Sequence, residues 1–170
     1  KGVAKQAWID AAVKSMTTLN KAAAEVISAP TSRKARDVGH PTVHALTDIT
    51  GFGLIGHARE MALASNVSLV IHSASVPVLE GALDCIHAGY VPGGLGANRE
   101  FAECLVDYDP SVPDDIRTLL FDPQTAGGLL ISVADDDAGA LTLALREAGV
   151  PAVEIGEVIP LTKPLIRVIA

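Results

Sequence analysis

The run TVHALTDITGFGLIGHAREMA, residues 42–62, constrains the fold more than any other part of the chain. Thr42–Ile49 reads as a strand that ends in Thr50-Gly51, and a helix follows from about Leu54 to Ser65. Gly51, Gly53 and Gly56 spell G-x-G-x-x-G between the two, the spacing of a dinucleotide-binding loop. Asp48 stands immediately before these glycines.

A dinucleotide loop needs small residues so that the backbone can approach a pyrophosphate at a helix N-terminus, and the glycines meet that demand. Such a loop also calls for an acidic residue about 20 positions further on to bind the ribose. From Asn66 to Leu79 the chain has no carboxylate, and Glu80 falls in the next helical segment. A bare carboxylate at Asp48 would moreover repel a phosphate at Gly51. With Mg²⁺ between them the conflict disappears, because Mg²⁺ is commonly held by one or two carboxylates together with phosphate oxygens. The nicotinamide reading is therefore rejected. Two readings remain: a metal-phosphate site, or a strand-to-helix turn in which Asp48, Thr47 and Thr50 act as local hydrogen-bonding caps. Thr47 and Thr50 can cap the helix or present hydroxyls to an anion. Gly51 and Gly53 permit backbone angles closed to other residues. His57 reads as a packed histidine rather than an acid or base.

Elsewhere helical and strand-like segments alternate. Residues 6–28 carry Trp8, Ile9, Ala12, Val13, Met16, Leu19, Ala23, Val26 and Ile27 on one helical stripe. Pro30 ends it, and residues 31–40 form a polar connector in which Arg33, Lys34 and Arg36 read as solvated. A strand over 68–73, a helix over 76–89 closed by Gly89, and a Gly-rich loop over 91–98 follow. Asn98 reads as the N-cap of a helix over 99–106 or as a residue lining a cleft, and Asp114–Leu120 as another helix. FDPQTAGG (121–128) is a turn feeding the buried strand LLISVA; Asp135–Asp137 open a helix that Gly149 ends. Strands near 152–159 and 165–169 complete an α/β (α+β) domain, a mixed β-sheet flanked by helices.

The 170 residues suit one domain. Apolar residues are 49% and aromatics 4%, so the core is aliphatic. A net charge of −7 argues against a nucleic-acid groove or an anionic membrane surface as the main partner. No apolar run approaches the ~18 residues of a membrane span, and no signal-peptide pattern opens the sequence. Cys85 and Cys104, without a Cys-x-x-Cys, fit a cytoplasmic protein with both thiols buried. The first residue is Lys1 rather than Met, which fits a piece of something longer.

TDITGFGLIGHAREMA (47–62), VPGGLGAN (91–98) and LFDPQTAGGLLISV (120–133) resemble the C-terminal half of the selenophosphate synthetases (selenide, water dikinases). KSMTTLNKAAAEV (14–26) and EIGEV (154–158) extend the resemblance over nearly the whole chain in the right order. The wider superfamily, with aminoimidazole ribonucleotide synthetase and hydrogenase-maturation relatives, shares the fold but differs at the TD-x-TGFG and DPQT-x-GG motifs.

The resemblance implies the C-terminal domain of a two-domain enzyme, with residues 1–170 as that single domain. It implies conversion of selenide, ATP and water to selenophosphate, AMP and phosphate with Mg²⁺. It makes Asp48 a Mg²⁺ ligand, with Thr47, Thr50, Gly51 and Gly53 around the ATP phosphates. It also implies that further metal-binding aspartates, a catalytic lysine and a reactive cysteine or selenocysteine belong to an N-terminal ATP-binding domain. On that reading the fragment carries no catalytic residue of its own and is inactive alone. Neither Cys85 nor Cys104 takes the nucleophile's role, and the full-length protein is a homodimer. The family usually has serine where this chain has Ala126. The alternatives are a non-catalytic folding or interaction module, or another ATP-using member of the superfamily.

Overall fold

The computed structural model describes residues 2–28, 41–123 and 126–170. Their elements run α1 (Gln6–Thr17), α2 (Lys21–Ser28), β1 (Val43–Asp48), α3 (Gly53–Ser65), β2 (Val67–His72), α4 (Ala82–His87), α5 (Gly93–Ala102), β3 (Val106–Tyr108), α6 (Asp114–Leu119), β4 (Leu129–Val133), α7 (Asp135–Glu147), β5 (Gly156–Pro160) and β6 (Ile166–Ile169). The strands form two sheets. One has the order β3-β6-β2-β5 and is mixed: β6 lies parallel to β2 and β3, while β5 is antiparallel to β2. The other is the antiparallel pair β1-β4, in which Asp48 stands opposite Leu129. The α+β class with helices packed on mixed strands is the one expected.

Alternation decides which residues enter the core. Along β6, Ile166 and Val168 are fully buried while Arg167 between them is exposed, so one sheet face carries the apolar set. Ile55, Ala58 and Ala62 recur at helical spacing on α3 and are also fully buried. They pack with Leu69 and Ile71 of β2, Leu95 and Ala102 of α5, and Leu120 and Phe121. Alanine at positions 58, 62 and 102 lets the helix backbones come close. A second, smaller cluster joins Ala23 of α2 to Leu141 and Leu145 of α7 over Leu129, Ile131 and Val133 of β4.

Several segments depart from the sequence pattern. The expected helix over 6–28 is two helices, because Thr18 is extended. The hydroxyls of Thr17 and Thr18 donate to the carbonyls of Val13 and Lys14, a local competition that ends α1. The apolar stripe of α1 is not core: Ile9, Val13 and Met16, with Leu19 just beyond, are exposed. Residues 76–81 stay outside the helix expected over 76–89, and only Ala82–His87 is helical; Gly89 closes it as expected, with φ +73. The glycines of VPGGLGAN open α5 instead of forming a loop, since burial of Leu95 and Ala102 outweighs their poor propensity. Residues 106–108 therefore form a strand rather than a helix end. The strand expected near 152–159 runs from Gly156 to Pro160. Asp135–Asp137 occupy the first turn of α7, and Gly149 follows its end with φ +78. Cys85 is half-buried and Cys104 exposed, so neither thiol is sealed in the core. No helix among the described residues is long and apolar enough to cross a membrane. The basic connector with Arg33, Lys34 and Arg36 lies outside the described residues.

Ile166 is paired with strands on both sides and has no exposed surface. Ile166→Ala is expected to lower unfolding free energy by about 2–5 kcal/mol, read from the urea midpoint at unchanged slope.

Candidate functional site

The loop from Asp48 to Gly53 is built against the segment 120–128. The Ile49 amide donates to the Gly128 carbonyl at 3.0 Å, and the Gly127 amide returns a bond to Ile49 at 3.0 Å. The Ile55 amide donates to the Leu120 carbonyl at 3.1 Å. Gly53 has φ +69, and a Cβ there would stand 2.8 Å from the carbonyl carbon of Phe121. Only glycine satisfies both conditions. A Cβ on Gly56 would meet Phe52 Cβ at 2.6 Å, so this glycine makes room for the phenyl group. Gly51 differs: its φ is not positive and a Cβ would meet nothing within 4 Å. Of the two glycines that permit a left-handed backbone, Gly53 uses it and Gly51 does not. Two of the three glycines in G-x-G-x-x-G serve internal packing, which removes the need for a dinucleotide to explain them.

The period of two along β1 separates the candidate side chains. His44, Leu46 and Asp48 are exposed, while Val43, Ala45 and Thr47 are half-buried on the other face. Thr47 donates to the Asp48 carbonyl at 3.2 Å and lines a groove of about 270 Å³ with Ala45, His57 and Met61. Its hydroxyl thus faces away from the side on which the Asp48 carboxylate lies. That carboxylate makes no hydrogen bond or ion pair among the described residues. Nor do they include any group of three or more His, Cys, Asp or Glu arranged to hold a metal. Asp48 is thus an isolated acidic ligand candidate on a rigid strand end.

Thr50 and His57 form a small unit behind the loop. The Thr50 amide donates to His57 Nε2 at 3.1 Å, and the Thr50 hydroxyl lies 3.3 Å from the same nitrogen. An acceptor role at Nε2 leaves the ring proton on Nδ1, so this arrangement uses neutral imidazole. His57 is only 7% exposed, in keeping with a packed histidine. The N-cap position of α3 is Phe52, with no side-chain capping bond, so neither Thr47 nor Thr50 caps the helix. Of the loop amides, Thr50 is held by His57, and Gly53 donates to the Thr50 carbonyl at 3.1 Å. The Gly51 and Phe52 amides have no partner among the described residues.

α5 grips the same loop from the other side. Asn98 is not an N-cap but a mid-helix residue; its Nδ2 donates to the Gly51 carbonyl at 3.0 Å and to the Phe121 carbonyl at 3.1 Å. One helical turn on, Phe101 stacks on Phe52 at 6.4 Å between ring centroids, with the Arg59 guanidinium 4.1 Å from the Phe101 ring centre. Phe52 also leans on His57 at 5.6 Å. Sequence reasoning misses this arrangement. Its one signal is an asparagine, a poor helix former, three residues before an aromatic in a helix. Gln124 and Thr125 lie outside the described residues; next to them, Ser15 donates to the Ala126 carbonyl at 3.2 Å. His87 does not reach toward Cys85 but pairs with Asp115 of α6 at 2.7 Å, and that hydrogen bond holds the Asp115 carboxyl below its usual range.

Comparison with known proteins puts a family on this arrangement. The description "AIR synthase related protein, C-terminal domain" matches residues 6–168. The chain belongs to this family. The domain is 41% identical over 169 residues to the selenide, water dikinase of Pelobacter propionicus, covering 99% of this chain and 45% of that protein. It is 39% identical over 155 residues to the enzyme of that name from Agathobacter rectalis, covering 91% of this chain and 42% of the relative. The domain thus spans under half the length of these curated relatives. Among solved structures it is similar to E. coli HypE, a hydrogenase maturation protein, at 23% identity and a TM-score of 0.45 over 75% of this chain and 31% of that one.

The glycine geometry gives a contrast. Gly53→Ala combines a left-handed backbone with a contact on Phe121 and is expected to cost more than about 2 kcal/mol. Gly51→Ala is expected to stay within about 0.5 kcal/mol. Equilibrium denaturation of the two variants side by side checks both values.

Proposed function

We propose that these residues are the C-terminal domain of a selenophosphate synthetase, working with an N-terminal ATP-binding domain of the same protein. The full-length enzyme converts selenide, ATP and water to selenophosphate, AMP and phosphate in the cytoplasm. The observation that carries this reading is the Asp48 carboxylate at the end of β1, followed in the same loop by the Gly51 and Phe52 amides, none of them with a partner among the described residues. The motifs around it resemble those of the dikinases, and the curated relatives bear that name.

Mg²⁺ fits this donor set as a shared ion rather than a resident one. A hard cation accepts a carboxylate oxygen, and Mg²⁺ usually combines one or two such ligands with phosphate oxygens and water. Asp48 offers one. When bound, the ion would neutralise charge on the phosphates during transfer. The chain's own part is positional: Asp48 ends β1, His57 holds the Thr50 amide, and the Gly51 and Phe52 amides at the start of α3 have no partner among the described residues. Gly51, lacking a side chain where the fold would accept one, keeps the approach to those amides clear. Thr50 borders the phosphates through its backbone, and Thr47 supports the site from the opposite strand face.

We assign no turnover to this domain alone, because the resemblance gives the further acidic ligands, the lysine and the nucleophile of phosphoryl transfer to the N-terminal domain. On this reading the domain is a non-catalytic module until joined to the rest of the enzyme, which forms a homodimer.

Asp48→Asn in the full-length enzyme keeps the side chain's size and removes its charge. AMP formation from ATP with selenide and Mg²⁺ is expected to fall by about a hundredfold or more, with the fold unchanged by circular dichroism. Near-parental turnover would defeat the metal assignment. AMP formation by residues 1–170 alone would defeat the division of labour.

A further inference from the structure

The loop between Asp48 and α3 is held at almost every residue by contacts that also hold the fold. Ile49 is tied to Gly127 and Gly128, Ile55 to Leu120, Thr50 to His57, and Gly53 is wedged on Phe121. Gly51 is the exception. A Cβ there would meet nothing within 4 Å, its φ is not positive, and its amide has no partner among the described residues. Its carbonyl is fixed by one bond, from Asn98. The second N–H of the same amide group reaches the Phe121 carbonyl, beside Gly53, so one side chain spans α5, the loop and the residues that follow α6.

We propose that Asn98 is a positioning residue that sets the orientation of the Gly51–Phe52 peptide next to Asp48, and through it the geometry offered to a metal-bound phosphate. The proposal rests on the metal-phosphate reading of Asp48. A peptide plane is rigid, so fixing the Gly51 carbonyl also fixes the direction of the Phe52 N–H on the other side of that bond. Phe101, on the same face of α5, holds the Phe52 ring. α5 thereby controls both ends of residue 52, backbone and side chain. The fold has other anchors for this loop, so losing the Asn98 bridge frees the peptide without detaching the loop. An asparagine inside a helix, at a cost in propensity, is consistent with a role that alanine or leucine cannot fill.

The test uses the full-length enzyme with ATP and Mn²⁺ as a paramagnetic substitute for Mg²⁺, bound metal being counted by electron paramagnetic resonance. Asn98→Ala removes the bridge; Asn98→Leu removes it while keeping most of the side-chain volume. Half-saturation by Mn²⁺ is expected to rise about tenfold in either variant that stays folded at the assay temperature. In an Asp48→Asn background, Asn98→Ala is expected to add little, because the two residues act on one site. A purely structural asparagine would lower the thermal midpoint and leave Mn²⁺ half-saturation unchanged. That outcome overturns the proposal, as do fully additive effects with Asp48→Asn, or unfolding of both variants. If the parental enzyme makes no AMP from ATP and selenide, the dikinase reading fails on its own; the Mn²⁺ comparison still decides the role of Asn98. If the parental enzyme binds no Mn²⁺ with ATP, both fail.

Discussion

The approach of Gly53 to the backbone at Phe121 is the contact on which the rest of this domain's architecture turns. It brings the start of α3 within hydrogen-bonding reach of the Leu120 carbonyl, so the two motif segments become neighbours although about seventy residues separate them. Any side chain at Gly53 would push them apart. With that contact go the seating of Ile55 in the core and the end of β1 at Asp48 opposite Leu129. Two sheets are coordinated by it: β1-β4 on one side, and the four-stranded sheet under α3 on the other.

The glycine pattern and the aspartate thus carry separate information. Gly53 and Gly56 answer to Phe121 and Phe52, inside the chain. At Gly51 a Cβ would meet nothing within 4 Å, and the Asp48 carboxylate has no hydrogen bond or ion pair among the described residues. A residue that the fold does not require, next to a carboxylate that the fold does not pair, is the usual signature of a surface shaped for something else.

How much of this could be read in advance depended on range. The strand-helix order around residues 42–65, the caps at Gly89 and Gly149 and the acidic start of α7 are local, and local chemistry displays them. The helix through VPGGLGAN could not be read, because its glycines argue against it and the burial of Leu95 and Ala102 that overrules them is tertiary. Thr17 and Thr18 fit the apolar period of a long helix, while their hydroxyls break it. At the site, Asp48 could be singled out by charge logic alone. Asn98 could be named as a cap or cleft residue, but its bonds could not, since its partners at Gly51 and Phe121 are distant in sequence and both are backbone atoms that no residue pattern reveals. Gly51 and Gly53 looked equivalent for the same reason.

A lone carboxylate on a protein surface is inexpensive while it faces water, and by itself it holds a divalent ion weakly. Its value as a ligand depends on how little it must reorganise when the remaining donors arrive. β1 is fixed by pairing with β4 along its length, and the adjoining loop is fixed by His57, the 120–128 segment and α5. Most of the ordering cost on this wall is therefore met by folding rather than by ligand binding, which is what preorganisation contributes to phosphoryl-transfer sites. Such a wall can remain incomplete by itself without being loose. On the proposed reading, affinity comes from charges and phosphates supplied across from it, and geometry from the chain described here.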